Sequence, residues 1–361
     1  MTPAAIVGIG TAVPAATFGQ DVAMPLAMAR CCSNEGERAW LQRIYRGCGV
    51  RRRGSVLLAH DDDAASIESF YPPRSSEHDA GPPTAVRLAR YMREAGDVAT
   101  RASTAALADA GIHPSRITHV VIVSCTGSFS PGLDADLIER LGLARDVGRL
   151  NIGFMGCHGA FNGLRAAAAL THGAPDARVL LCCVELCSLH FAYGFNRQRV
   201  VANALFADGA AAVILAPAAK SALHLQDTAS LLTHDSADAM TWRIGNHGFE
   251  MGLTPEVPRR IRTSLREWLE PWLASRDLRI GDIAQWAIHP GGPEIVQAAI
   301  DALGVGAEAG DVSRAVLAEH GNMSSPTVLF VLQRMRLRNA SGPIVALGFG
   351  PGLVFEAALL D

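Results

Sequence analysis

Apolar residues in this chain gather in short, nearly continuous runs: AAIVGIG (4–10), ITHVVIVSC (117–125), ARVLLCCVE (177–185), AAVILA (211–216), QWAIHP (285–290) and PIVALGF (343–349). A strand that is apolar at nearly every position has no side left for water, so these runs predict strands buried on both faces. Between them lie helix-favouring stretches with amphipathic spacing, DADLIERLGL (134–143), FNGLRAAAALTHG (161–173) and SPTVLFVLQRMRLR (325–338). Strands alternating with helices predict a layered α/β architecture. The stretch HDDDAASIESFYPPRSSEHDAGPP (60–83) is polar, acidic and Pro-rich, and predicts an exposed connection without chemistry. Each half of the chain places a reactive residue type in a glycine-rich turn between an apolar strand and a helix. The pattern divides the chain into two related halves, residues 1–220 and 221–361, with the boundary near residues 217–225.

The 361 residues suffice for one large core or two fused halves. With 32 Lys and Arg against 35 Asp and Glu, no global charge attracts nucleic acid or an anionic membrane. Any anion site must be local. The opening MTPAAIVGIGTAVPAATFGQ has no basic start ahead of a long apolar run, and no later stretch reaches ~18 uninterrupted apolar residues. The expectation is a cytoplasmic protein without a membrane span. Cysteines at 31, 32, 48, 125, 157, 182, 183 and 187 form no CxxC ladder and read as thiols in a reducing compartment.

One of them stands apart. Cys157, in NIGFMGCHGAFNGL, follows a glycine and opens a helix, where the helix dipole and unpaired amides stabilise a thiolate. An arbitrary cysteine is more often a small core residue. Here the flanking glycines allow a substrate close to the backbone, and the nucleophile's own amide can face a thioester oxyanion. His289 ends an apolar strand beside a Pro-Gly-Gly-Pro turn, the carboxyl end where open parallel sheets bind ligands. Asn322, in EHGNMSSPTVLF, would alone be an ordinary turn or cap asparagine; its value lies in combination with the other two. For Cys182 and Cys183, inside a strand, core packing is the reading. The chain carries no GxGxxG unit and no metal-ligand spacing.

The segments GFMGCHGAFNGL, ANALFADGAAAVIL, WAIHPGGPEI, LAEHGNMSSPTVLFVL and ALGFGPGL, in this order, resemble the type III polyketide synthases, the chalcone synthase-like enzymes, over nearly the whole chain. HPGGP, GNMSS and GFGPG at these separations are jointly specific, whereas each alone is weak. The resemblance implies a duplicated thiolase fold, an α-β-α-β-α sandwich, in a homodimer. It implies that Cys157 takes an acyl starter from coenzyme A, with His289 as the cationic partner that keeps the thiol ionised. His289 and Asn322 would then hold the enolate of decarboxylating malonyl-CoA. Coenzyme A thioesters are the substrates, and no cofactor or metal is required.

The same resemblance assigns Phe206 as a gate between the coenzyme A tunnel and the reaction chamber. It places Pro255, in GLTPEVP, where relatives carry a second, aromatic gate, which would widen the chamber mouth for a medium or long fatty acyl starter. In the basic cluster LQRIYRGCGVRRRG (41–54), Arg43 and Arg46 match coenzyme A-binding positions, while a solvated basic face is nearly as good a reading for Arg51, Arg52 and Arg53. Cys125, Thr126, Cys187, Leu189, His190 and Ser324 match pocket positions, and Gly348, Phe349, Gly350, Pro351 and Gly352 match the loop tied to cyclisation and the oxyanion. Serine stands at position 130, where plant relatives have a methionine that reaches into the partner's cavity. The expected product is an alkylpyrone or alkylresorcinol. Two other readings remain: a 3-oxoacyl-carrier-protein synthase III, which shares the Cys-His-Asn set but not HPGGP or GFGPG, and a non-catalytic acyl-binding subunit, which would have lost the nucleophile.

Overall fold

The computed structural model describes residues 4–172, 174–217, 223–338 and 342–361, so the expected boundary at 220/221 lies outside the described residues. In chain order the elements are β1 (Ala4–Ala12), β2 (Thr17–Gly19), α1 (Gln20–Cys31), α2 (Glu35–Gly47), β3 (Arg52–Gly54), α3 (Ala64–Phe70), α4 (Thr84–Ala110), β4 (His119–Ser124), α5 (Leu133–Leu141) and β5 (Gly148–Gly153). They continue with α6 (Gly159–His172), β6 (Val179–Leu186), α7 (Arg197–Leu205), β7 (Asp208–Pro217), β8 (Leu223–Leu232), β9 (Met240–Gly245), β10 (Gly248–Leu253) and α8 (Glu256–Ala274). The chain closes with β11 (Gln285–Ile288), α9 (Pro293–Leu303), α10 (Asp311–His320), α11 (Thr327–Leu337), β12 (Ile344–Gly350) and β13 (Val354–Leu360).

Nine strands pair in the order β11-β12-β13-β8-β1-β7-β6-β4-β5, and the β1–β8 contact joins two copies of one motif. In the first, β1 runs antiparallel to β7, β7 antiparallel to β6, and β6 parallel to β4. In the second, β8 runs antiparallel to β13, β13 antiparallel to β12, and β12 parallel to β11. The motif repeats across unrelated side chains, because period-two alternation alone specifies which face each residue covers.

That alternation builds the layers. In β4, Val120 and Ile122 join an outer core beneath α4, while Val121 and Val123 join a central core with Phe161 and Leu164 of α6 and Val328, Leu329 and Leu332 of α11. In β12, Ala346 faces the same central core, while Val345 and Leu347 face a third core formed with α8 and α9. Two sheet halves thus enclose the pair α6 and α11, with helices outside both: the α-β-α-β-α layering of a thiolase fold. Close packing requires glycine where helix meets strand, and a side chain at Gly10 of β1 would collide with the backbone of Ala102 and Ala106 in α4.

β8 and β13 escaped prediction, the first because LHLQDTASLL mixes polar and half-buried positions, the second because Glu356 interrupts its apolar run. The polar stretch 60–83 holds helix α3, and Ile67 and Tyr71 from it are buried against the core rather than left on an exposed connection. Among the described residues no helix is long and apolar enough to cross a membrane.

Candidate active site

The first half delivers its nucleophile through a forced turn. After β5, Phe154 (φ 57°) and Gly156 (φ 70°) adopt left-handed backbone and lead into a one-turn 3-10 helix, Gly156–His158, that runs on into α6. Cys157 therefore sits at a helix start, and it is buried. Burial pushes its thiol up to about 11; hydrogen bonds from Ser324 and Asn322 pull it down, and the nearby Glu185 adds to the rise.

The second half supplies the two other groups. His289 follows β11 and is held by its backbone, its amide donating to Leu347 O at 2.8 Å. The ring is buried, and neither Nδ1 nor Nε2 has a hydrogen-bond partner among the described residues. Burial, with a smaller push from His158, holds its pKa down to about 3. Asn322 is fixed at three points. Its Oδ1 accepts from the Ser324 amide at 2.8 Å, its Nδ2 donates to Gly291 O at 3.3 Å, and its backbone pairs with the segment around Phe206. In that bridge Asn322 N donates to Leu205 O and Ala207 N to Asn322 O, both at 2.9 Å.

Both directions run against the cationic His289 and Cys157 thiolate that the resemblance implies, since burial favours the neutral thiol and the neutral imidazole.

Cys157, Phe206, Cys125, Thr126, Cys187, His190, Ser324 and Pro351 line one cavity of about 90 Å³. Beneath it lies Glu185, a fully buried carboxylate in the middle of an apolar strand. It accepts from Cys125 N at 2.9 Å, Thr126 Oγ1 at 2.7 Å and Ser325 Oγ at 2.7 Å. Burial raises its pKa, and those hydrogen bonds oppose the rise. A lone acid in the otherwise apolar VLLCCVEL is the sequence signal for it.

Several expected positions fall elsewhere. Pro255 is exposed at the N-cap of α8 and is not on the cavity wall, so no side chain from this position walls the cavity. Leu189 points into the outer core, away from the cavity. Of the GFGPG residues only Pro351 reaches the cavity; Gly348, Phe349 and Gly350 finish β12, where a side chain at Gly348 would strike Phe161 and one at Gly350 would strike His158, and Gly352 lies beyond. Arg43 and Arg46 are exposed on α2, outside the cavity. Arg53 is no solvated cation. It is buried, stacks over Phe18 at 5.0 Å, and donates to Asn203 O at 2.7 Å and Phe206 O at 3.0 Å, capping the C-terminal end of α7 at the gate. The sequence also gave no notice of Arg199, Met240, Trp242, Phe249 and Met251, all on the cavity wall.

Residues 1–218 match the N-terminal domain of the chalcone and stilbene synthases, and residues 224–361 match the C-terminal domain. The chain belongs to this family. It is a type III polyketide synthase, an acyltransferase of thiolase fold. It is 33% identical to the 1,3,6,8-tetrahydroxynaphthalene synthase of Streptomyces peucetius, over 98% of this chain and 92% of that one. It is 29% identical to the alpha-pyrone synthesis polyketide synthase-like Pks18 of Mycobacterium tuberculosis, over 100% of this chain and 91% of that one. Among solved structures, PKS-I of the brown alga Ectocarpus siliculosus superposes with a TM-score of 0.90 at 32% identity, covering 100% of this synthase and 98% of the algal chain.

A neutral Cys157 has a kinetic signature. With a thiol near 11, iodoacetamide alkylation at Cys157, read by peptide mass spectrometry, rises by roughly tenfold per pH unit from pH 7 to 10. A rate that levels off below pH 8 would show the ion pair instead.

Proposed function

We propose that this synthase loads an acyl group from coenzyme A onto Cys157 and extends it with malonyl-CoA by decarboxylative condensation, using His289 and Asn322. The observation that carries the reading is the buried His289 imidazole with two unpartnered nitrogens, two residues before the Gly291 carbonyl that fixes the Asn322 amide. Buried polar atoms left without partners are rare in folded proteins and mark places built for a ligand.

In loading, the Cys157 sulfur attacks the thioester carbonyl as its proton passes to neutral His289. The bond to coenzyme A then breaks, and the proton leaves on the coenzyme A thiol. Malonyl-CoA next loses carbon dioxide, and the electron pair of the broken carbon–carbon bond moves onto its thioester oxygen. Neutral His289, through a ring N–H, and Asn322 Nδ2 donate to that enolate oxygen in a water-poor site, where such bonds are strongest. The enolate carbon attacks the acyl group on Cys157, the bond to sulfur breaks, and the released thiolate takes a proton from solvent. Loss of carbon dioxide supplies the driving force, so the chemistry calls for no metal, flavin or nicotinamide.

The starter reading rests on the cavity, no longer on Pro255. Phe18, Ala23, Leu26, Leu57 and Ile67 give it an apolar side suited to an alkyl chain, consistent with a fatty acyl starter and a pyrone or resorcinol product. Arg43 and Arg46 are proposed to meet the coenzyme A phosphates from the exposed face of α2.

Replacing Cys157 by Ala should abolish product formation from acyl-CoA and labelled malonyl-CoA. Asn322→Ala should slow malonyl-CoA decarboxylation about 10²-fold or more and acyl loading far less. Undiminished condensation in the first variant, or equal loss of both steps in the second, contradicts these roles.

A homodimer is supported by strand β5, which ends the sheet with one unpaired edge. Leu150 of β5, with Phe154 and Met155 after it, exposes apolar surface there at 40%, 42% and 38%. Light scattering should read twice the chain mass, falling toward one chain mass in Leu150→Glu; a monomer in the unaltered protein rejects the assignment.

A further inference from the structure

One side of the reaction cavity carries cations among its apolar residues. Arg30 of α1, Tyr45 of α2 and Arg53 of β3 line it together with Phe18 and Leu26. The three polar residues expose 1%, 2% and 4% of their surface, so bulk water does not solvate them.

Each keeps one donor unspent. Arg30 donates through Nε to Tyr71 O at 2.7 Å and through Nη1 to Leu26 O at 2.6 Å, but its Nη2 has no hydrogen-bond partner among the described residues. The half-exposed Glu68 stands off from that atom at 3.7 Å. Arg53 gives Nη1 to Asn203 O and Phe206 O and Nη2 to Gln20 Oε1 at 3.1 Å, and its Nε is left over. Tyr45 Oη is left over as well. Burial pushes this phenol up, and the Arg53 charge beside it opposes the rise.

No carboxylate is free to meet these donors. Asp208, a buried acid within reach of the Arg53 field, accepts from Ser188 N, Ser188 Oγ and Val56 N at 2.7, 2.6 and 2.9 Å. A guanidinium taken out of water is costly unless an anion or a full set of acceptors meets it. Three open donors on one side of one cavity are therefore the mark of a site whose acceptor arrives with the ligand. A ketone or hydroxyl would fill one donor and leave the charge uncompensated. A carboxylate supplies both the charge and the lone pairs that a guanidinium fork fits.

We propose that Arg30, Tyr45 and Arg53 form a carboxylate subsite, and that the preferred starter of this synthase is an ω-carboxyacyl thioester. Its thioester carbonyl meets Cys157, its methylenes lie along Phe18 and Leu26, and its free carboxylate takes the three donors. The product then carries that carboxylate at the far end of its alkyl chain. The exposed Arg43 and Arg46 lie on a different face of α2 from the buried Tyr45, so the coenzyme A phosphates and the starter carboxylate have separate cations. This rests on the acyl-transfer reading above and names its substrate class.

The test is a loading competition with malonyl-CoA withheld. The full chain is given equimolar pairs of coenzyme A thioesters of equal carbon number, one methyl-ended and one ω-carboxylated: hexanoyl with adipoyl, octanoyl with suberoyl, decanoyl with sebacoyl. The ratio of the two adducts on Cys157 is read by intact-protein and peptide mass spectrometry. The unaltered protein takes the carboxylated member about tenfold or more over its methyl-ended partner in at least one pair. Tyr45→Phe, which removes only a hydroxyl, lowers that ratio about threefold or more, and Arg30→Met brings it to one or below. Loading of the methyl-ended member equal to or above the carboxylated one in every pair would overturn the subsite. So would a preference that persists undiminished in Tyr45→Phe, the variant that decides the matter if Arg30→Met does not fold by circular dichroism. Absence of any adduct on Cys157 from either member of every pair would instead overturn the acyl-transfer reading, and the subsite with it.

Discussion

The constraint on which this structure depends is the burial of two helices, α6 and α11, between the two halves of the sheet. Thr327 through Leu332 are buried on every side, as are Gly159, Ala160 and Phe161. A helix start with no solvent around it has to satisfy its free amides from within the protein, and the turns before these two helices do so with short, strained and glycine-rich backbone. Gly156 and Phe154 before α6, and Gly321 and Ser324 before α11, all have positive φ. Those turns carry Cys157 and Asn322. Packing that forms the middle layer and placement of the reactive groups are one event.

From that burial follows the electrostatic character of the site. Burial makes the separated charges of a thiolate and an imidazolium costly and favours the neutral forms of Cys157 and His289. In the proposed reaction the charge appears only when substrate arrives, and the donors proposed to meet it are held by the fold. Asn322 is oriented by the Ser324 amide, and its backbone is locked to Leu205 and Ala207. Arg53 donates to Phe206 O at the same junction, so the backbone at Phe206 and at Asn322 is tied together by hydrogen bonds. Glu185 plays the corresponding part on the other wall, where it clamps Cys125 and Thr126.

Much of this was legible in the sequence, for physical reasons that differ by residue. Runs such as ARVLLCCVE announce a doubly buried strand because no other environment tolerates them, and Cys157 and Asn322 announce themselves by the glycines their turns require. Pro255 was placed by position along the chain alone, and the structure sets it exposed at the start of α8, away from the cavity wall. Leu189 misled because neighbours in a 3-10 turn face different ways, so His190 lines the cavity and Leu189 does not. Arg53 looked like one more surface cation because its partners are backbone carbonyls, which leave no trace in composition. Trp242 and Phe249 could not be found at all, since they reach the site through a hairpin whose docking on His190 and on Cys125 is purely tertiary.

The central claim is that the middle layer presents Cys157, alone among the buried thiols of the cavity, for acyl transfer. Intact-protein and peptide mass spectrometry after exposure to an acyl-CoA, with malonyl-CoA withheld, tests it most directly. The account predicts a single acyl mass added, located on Cys157. An acyl group located on Cys125 or Cys187, or no adduct with any of a panel of acyl-CoAs, would contradict it.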